Sequence, residues 1–102
     1  MMNEKVSNNI ERYYSENAEG DRMALGDAML DRVLSHIRNG NEANALWRHF
    51  EKKAQEMRAG IGPVKDPLFL LHSNVYYLRD LLEDANDYEA IELLDDMERD
   101  FF

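Results

Sequence analysis

Asp66-Pro67-Leu68-Phe69-Leu70-Leu71-His72-Ser73-Asn74-Val75-Tyr76-Tyr77-Leu78-Arg79-Asp80-Leu81-Leu82 is the stretch that the rest of this chain has to pack around, and its spacing predicts one helix. Asp66 is placed to cap the free amides of the first turn. Pro67 then falls at the first helical position, where a missing N–H costs nothing and the fixed φ already suits a helix. Leu68, Leu71, Val75, Leu78 and Leu82 recur at three- and four-residue steps and make a continuous apolar stripe. Leu70, Tyr77 and Leu81 form a second row on nearly the opposite side, and Phe69 with Tyr76 a third. Only Ser73 and Asp80 look plainly outward. A helix apolar over so much of its circumference belongs between neighbours, as the central element of the fold.

Working outward, Ala59-Gly60-Ile61-Gly62-Pro63-Val64-Lys65 breaks the helical pattern on the N-terminal side of this stretch, because its glycines and proline cannot sustain a helix. Before it, Asn41 is a suitable cap for a helix that buries Ala43, Leu46, Trp47, Phe50, Ala54 and Met57 and turns Arg48, Lys52, Lys53 and Arg58 outward. Earlier still, Met23, Ala24, Gly26, Met29, Leu30, Val33, Leu34 and Ile37 share one face of a helix that starts near Asp21 and ends at Asn39-Gly40. Residues 1–19 read as a polar, mobile start, ordered only if Ile10, Tyr13 and Tyr14 dock. On the C-terminal side, Asp87 caps a last helix in which Ala90, Ile91, Leu94, Met97 and Phe101 face inward. The expected architecture is all-α, a small antiparallel bundle of about four helices, with a single helical domain over 20–102.

A chain of 102 residues gives room for one core. There is no apolar run approaching the roughly 20 residues of a membrane span, and the N-terminus lacks the apolar centre of a secretory signal, so a cytoplasmic protein is expected. With no cysteine, disulfides, thiolate metal sites and cysteine nucleophiles are excluded. The net charge of −9 is unevenly spread: residues 83–102 hold nine acids and one base, whereas residues 1–82 hold twelve acids and eleven bases. The last helix therefore carries nearly all the excess. Such a field repels phosphate backbones and anionic lipid, and it favours a protein partner with a basic patch. The basic outer side of the second helix is its natural complement, within one molecule or between molecules.

Candidate chemistry is sparse. His72 precedes Ser73, but adjacent helical positions point about 100° apart, so the pair cannot act as base and nucleophile without a third element. A hydrogen-bonded histidine at the edge of the core is the favoured reading, and for Arg79 a structural pairing with a carboxylate of a neighbouring helix. None of His36, His49 and His72 has the glutamate three residues before it that helical di-iron sites use, so no metal or cofactor is expected. Asp95-Asp96 and Glu83-Asp84 lack the buried setting that separates the pKa values of an acid–base pair. Tyr76, Tyr77 and Trp47 are expected in the core, with a tyrosine hydroxyl at the surface suiting a protein interface.

The run from Leu68 to Asp84, followed by Asp87-Tyr88-Glu89-Ala90-Ile91-Glu92-Leu93-Leu94-Asp95, resembles the CowN family, small bacterial proteins that sustain nitrogen fixation when carbon monoxide is present. With Leu46-Trp47-Arg48-His49-Phe50 and the Gly60–Asp66 linker, the likeness covers about residues 44 to 99. Members commonly carry a Gly-Ile-Asp-Cys-like segment near the N-terminus and paired terminal cysteines. This chain has neither and ends in Phe101-Phe102, so no thiol role carries over. The resemblance implies a protective protein that is not an enzyme and that contacts the molybdenum–iron component of nitrogenase. For that contact, the sequence offers the acidic face Glu92, Asp95, Asp96 and Asp100, with Ser73 and Asp80 from the central helix. Two other readings fit an acidic helical protein: a nucleic-acid mimic that occupies a basic groove, and a self-associating regulatory subunit.

Overall fold

In the computed structural model, the backbone is described for residues 2–100 and the side chains for residues 20–100. Five helices follow one another: α1 (Met2–Arg38), α2 (Ala45–Arg58), α3 (Pro67–His72), α4 (Val75–Asp84) and α5 (Tyr88–Asp100). There is no strand among the described residues, and the all-α class holds. The first helix begins at Met2 and not near Asp21, in keeping with a stretch that contains no proline. The docking expected of Ile10, Tyr13 and Tyr14 and the inward packing of Phe101 fall outside the described residues.

Local chemistry fixes most of the boundaries. Past Arg38 the backbone closes through Asn39 N–H on the His36 carbonyl at 3.2 Å and Asn41 N–H on the Ile37 carbonyl at 2.9 Å, with Gly40 at φ +114°, which a side chain would resist. Asn41 therefore finishes α1, its side chain donating to the His36 carbonyl at 3.2 Å, and does not cap α2. That cap is Asn44, whose side chain accepts the Leu46 amide at 2.9 Å. Ala43, expected in the α2 stripe, is exposed ahead of the helix. Asp66 accepts the Phe69 amide at 2.8 Å with Pro67 behind it, and Asp87 accepts the Ala90 amide at 3.2 Å.

The stretch 66–82 is two helices and not one, which makes the bundle five-membered. In an unbroken helix the Leu70 carbonyl would accept the amide of Asn74. Here it accepts the side chains of Ser73 at 3.1 Å and Asn74 at 2.9 Å, while the Asn74 amide turns to the Leu71 carbonyl at 3.1 Å. Short polar side chains that satisfy a backbone carbonyl locally let the chain leave the helix, and α4 restarts with Leu78 N–H on the Asn74 carbonyl at 2.9 Å.

The core is continuous through all five helices. Leu30, Val33 and Ile37 of α1 meet Phe50 and Ala54 of α2, Leu70 and Leu71 of α3, Leu78 and Leu82 of α4, and Leu94 and Met97 of α5, all fully buried. Each buried leucine contributes about 2 kcal/mol through loss of apolar surface to water. Trp47 and Phe50 meet edge to face with ring centroids 5.6 Å apart. Gly26 marks the closest seam, since a Cβ there would lie 2.9 Å from Leu68 Cδ2 and 3.3 Å from Pro67 Cγ. The α3–α4 pair touches α1, α2 and α5, consistent with a central role, and the second half of α1 shares that role.

Candidate functional site

The break at Ser73-Asn74 decides what reaches the surface. Phe69, Tyr76 and Tyr77, expected inside a single buried helix, are 62%, 84% and 52% exposed, whereas Trp47 is buried as expected. Splitting the helix lets Leu70 and Leu71 serve one part of the core and Leu78, Leu81 and Leu82 another, so no single axis has to bury the aromatic rows as well. His72 lies exposed at the end of α3, and the Ser73 hydroxyl is committed to the Leu70 carbonyl.

Between α2 and α3–α4 runs a groove made of two adjoining hollows of about 270 and 220 Å³ that share Leu46. Leu46, Phe50, Val64, Phe69 and Leu70 line the first, with His49 and Lys53 at its rim beside Ser73 and Asn74. Trp47, Tyr77 and Leu81 line the second, with Asp80 and Asp84 at its rim. Ser73 and Asp80, both proposed from sequence, thus stand on one face, and the exposed aromatics beside them were not foreseen there. A signal was present: a helix apolar on every side in so short a chain has more apolar surface than its neighbours can cover.

The other four proposed residues, Glu92, Asp95, Asp96 and Asp100, lie exposed on α5, and three of them are already paired. Asp95 meets Arg79 at 2.6 Å, and Glu98 joins the same guanidinium, as expected for Arg79. Arg99 holds Asp96 at 3.0 Å and Asp100 at 3.2 Å. Glu92 makes no ion pair among the described residues. The cations that answer α5 come from α1 and α4 and from α5 itself, and not from α2, whose Arg58 turns to Asp27 at 2.7 Å and Asp31 at 2.9 Å on α1.

One polar cluster went unread in the sequence. Asp87, its side chain 8% exposed, accepts Arg32 Nη2 at 2.6 Å and lies 2.7 Å from His36 Nε2, while Arg32 also meets Glu89 at 2.7 Å. The Arg32 guanidinium, ahead of the His36 and Ala90 hydrogen bonds, holds the Asp87 carboxyl well below the usual carboxylate range. These partners lie 51 to 57 residues apart, beyond the reach of any spacing rule. Asp21 is the opposite case, a buried carboxylate without a hydrogen-bond partner among the described residues, whose pKa burial pushes up. No group of three or more His, Cys, Asp or Glu close enough to hold a metal ion occurs among the described residues, and no described helix is long and apolar enough to cross a membrane.

Fold and surface together define a small all-α protein with an open, aromatic-edged groove on one flank and an ion-paired acidic helix on the other. The family model described as N2-fixation sustaining protein CowN matches residues 5–102, and the chain belongs to that family. A protein of Tolumonas auensis named N(2)-fixation sustaining protein CowN is 40% identical over 70 residues, covering 69% of this chain and 64% of the relative. Proteins of the same name from Azorhizobium caulinodans and Rhodospirillum rubrum are 37% and 31% identical over 75 and 78 residues, covering 70% and 76% of this chain and 62% and 73% of the relatives. For the first two, the match spans less than two thirds of the relative's own length. No solved structure matches the chain.

Proposed function

We propose that this protein sustains nitrogen fixation in the presence of carbon monoxide by docking, without catalysis, on the molybdenum–iron component of nitrogenase in the cytoplasm. Family membership supports the link to nitrogen fixation. The observation that carries docking is the exposure of Phe69, Tyr76 and Tyr77 beside Ser73 and Asp80, since large aromatics left in water next to polar groups are the usual anchors of protein interfaces. The acidic face Glu92, Asp95, Asp96 and Asp100 supplies long-range attraction to a basic patch, so binding weakens as salt rises. Protection follows if the bound state narrows gas access or shifts the target toward a working conformation, which requires different affinities for the two states.

The test is substrate reduction by purified nitrogenase under an inhibitory level of carbon monoxide, with and without a stoichiometric amount of the protein. Recovered turnover is the expected result; inhibition unchanged by the protein overturns the reading.

A further inference from the structure

We infer that the groove between α2 and α3–α4 is a binding site for an amphipathic helix of a partner protein, one that carries an apolar row flanked by basic residues at one end and acidic residues at the other. The inference deepens the docking reading above and rests on it only in taking the partner to be a protein.

The groove has the form that a third helix fits. Its walls are two helical stripes, Leu46, His49 and Lys53 on α2 and Tyr77, Asp80 and Asp84 on α4, spaced at three and four residues, so ridges of an incoming helix can settle between them. The first hollow is mainly apolar, with Leu70 beneath it, and the second is more polar, with Leu81 beneath it; Leu46 is common to both. Phe69 and Tyr77 stand exposed along the groove. Covering these rings with an apolar row removes surface that the fold itself leaves in water.

Charge selects the occupant. Asp80 and Asp84 stand at one hollow with no base among its lining residues, and Lys53 stands at the other with no acid. None of these three makes an ion pair among the described residues, unlike the acids of α5 that Arg79 and Arg99 hold. A helix with basic residues over Asp80 and Asp84 and acidic residues over Lys53 satisfies both ends and reads the direction of the groove. Two copies cannot pair groove to groove, because two concave surfaces do not fill each other.

Trp47, the only tryptophan of the chain, lines the acidic hollow and reports its occupancy. The experiment titrates the full-length protein with a tryptophan-free synthetic helical peptide that has a leucine row, lysines at one end and glutamates at the other, and follows Trp47 fluorescence. A saturable change is expected. In Asp80→Lys/Asp84→Lys, both exposed positions, binding should weaken by about tenfold or more. A peptide with glutamates at both ends should bind this variant better than the original peptide does. Circular dichroism checks that the variant keeps its helicity, and Asp80→Asn/Asp84→Asn gives the same test with a smaller loss. Absence of a saturable change, or equal affinity in the charge variants, overturns the inference. So does a concentration-dependent dimer in sedimentation that the peptide fails to dissociate, since a second copy then holds the groove. Nitrogenase takes no part in this experiment, so its failure leaves the protective function standing, and failure of protection leaves the groove to be judged by the peptide alone.

Discussion

On the α5 flank, carboxylates and guanidinium groups satisfy each other: Asp87 and Glu89 hold Arg32, Asp95 and Glu98 hold Arg79, and Asp96 and Asp100 hold Arg99. On the α2 flank, Lys53, Asp80 and Asp84 make no ion pair among the described residues, and Phe69 and Tyr77 stand in water. Among the described residues, the acids of α5 are therefore largely neutralised by ion pairs, Glu92 excepted, while the fewer charges that frame the groove have no such partners. Net charge steers a partner from a distance, but unpaired polar groups around uncovered aromatics are where close contact yields free energy.

The contrast predicts opposite responses to mutation. Asp87→Ala removes a buried partner of Arg32 and His36 together with the cap of α5, and should cost about 3 kcal/mol in urea unfolding. An unchanged midpoint would break the view of this flank as structural. The same carboxylate sets a pH dependence. Its folded pKa lies below its unfolded value, so its contribution is complete above about pH 4 and is lost as pH falls through that value toward the lowered one. Asp87→Asn should therefore lose less stability than the wild type between neutral pH and pH about 3.

Gly26→Val tests the seam that both flanks share. The added side chain must displace Leu68 or Pro67, at a cost of about 2 kcal/mol. Arg79→Ala releases Asp95 and Glu98, partly exposed partners, and should cost about 1 kcal/mol, with the loss shrinking as salt rises. The smallest effect on folding is expected on the groove side: Phe69→Ala, Tyr76→Ala and Tyr77→Ala should each change unfolding by less than about 0.5 kcal/mol. Phe69→Ala and Tyr77→Ala should in addition weaken peptide capture. A large folding penalty from either would return that aromatic to the core and remove it from the candidate site.

Much of this was legible along the chain. Asp66 and Asp87 cap the helices that their positions announce, and the burial of Val33, Ile37, Trp47, Phe50, Ala54, Leu94 and Met97 follows the three- and four-residue spacing of their helices. One cap was misplaced for a local reason: Asn41 and Asn44 are the same residue type three positions apart, and only the backbone path past Gly40 gives one to the end of α1 and the other to the start of α2. Of the proposed contact residues, Ser73 and Asp80 share the groove face, and Glu92, Asp95, Asp96 and Asp100 stand on another helix. Outward direction is a property of each helix, whereas adjacency is a property of their packing.

The sequence by itself determined the helical class, most core positions of α1, α2 and α5, and the concentration of negative charge in the last helix. These follow from periodicity and composition, which act over a few residues. Tertiary structure alone decided the rest. It placed the break at Ser73-Asn74, where an alternative set of hydrogen bonds on the Leu70 carbonyl competes closely with helix continuation. It also chose which rows of an all-round apolar stretch would be covered, and it brought Arg32 and His36 to a carboxylate more than fifty residues away. Those choices depend on which surfaces meet, and spacing along one helix carries no record of its neighbours.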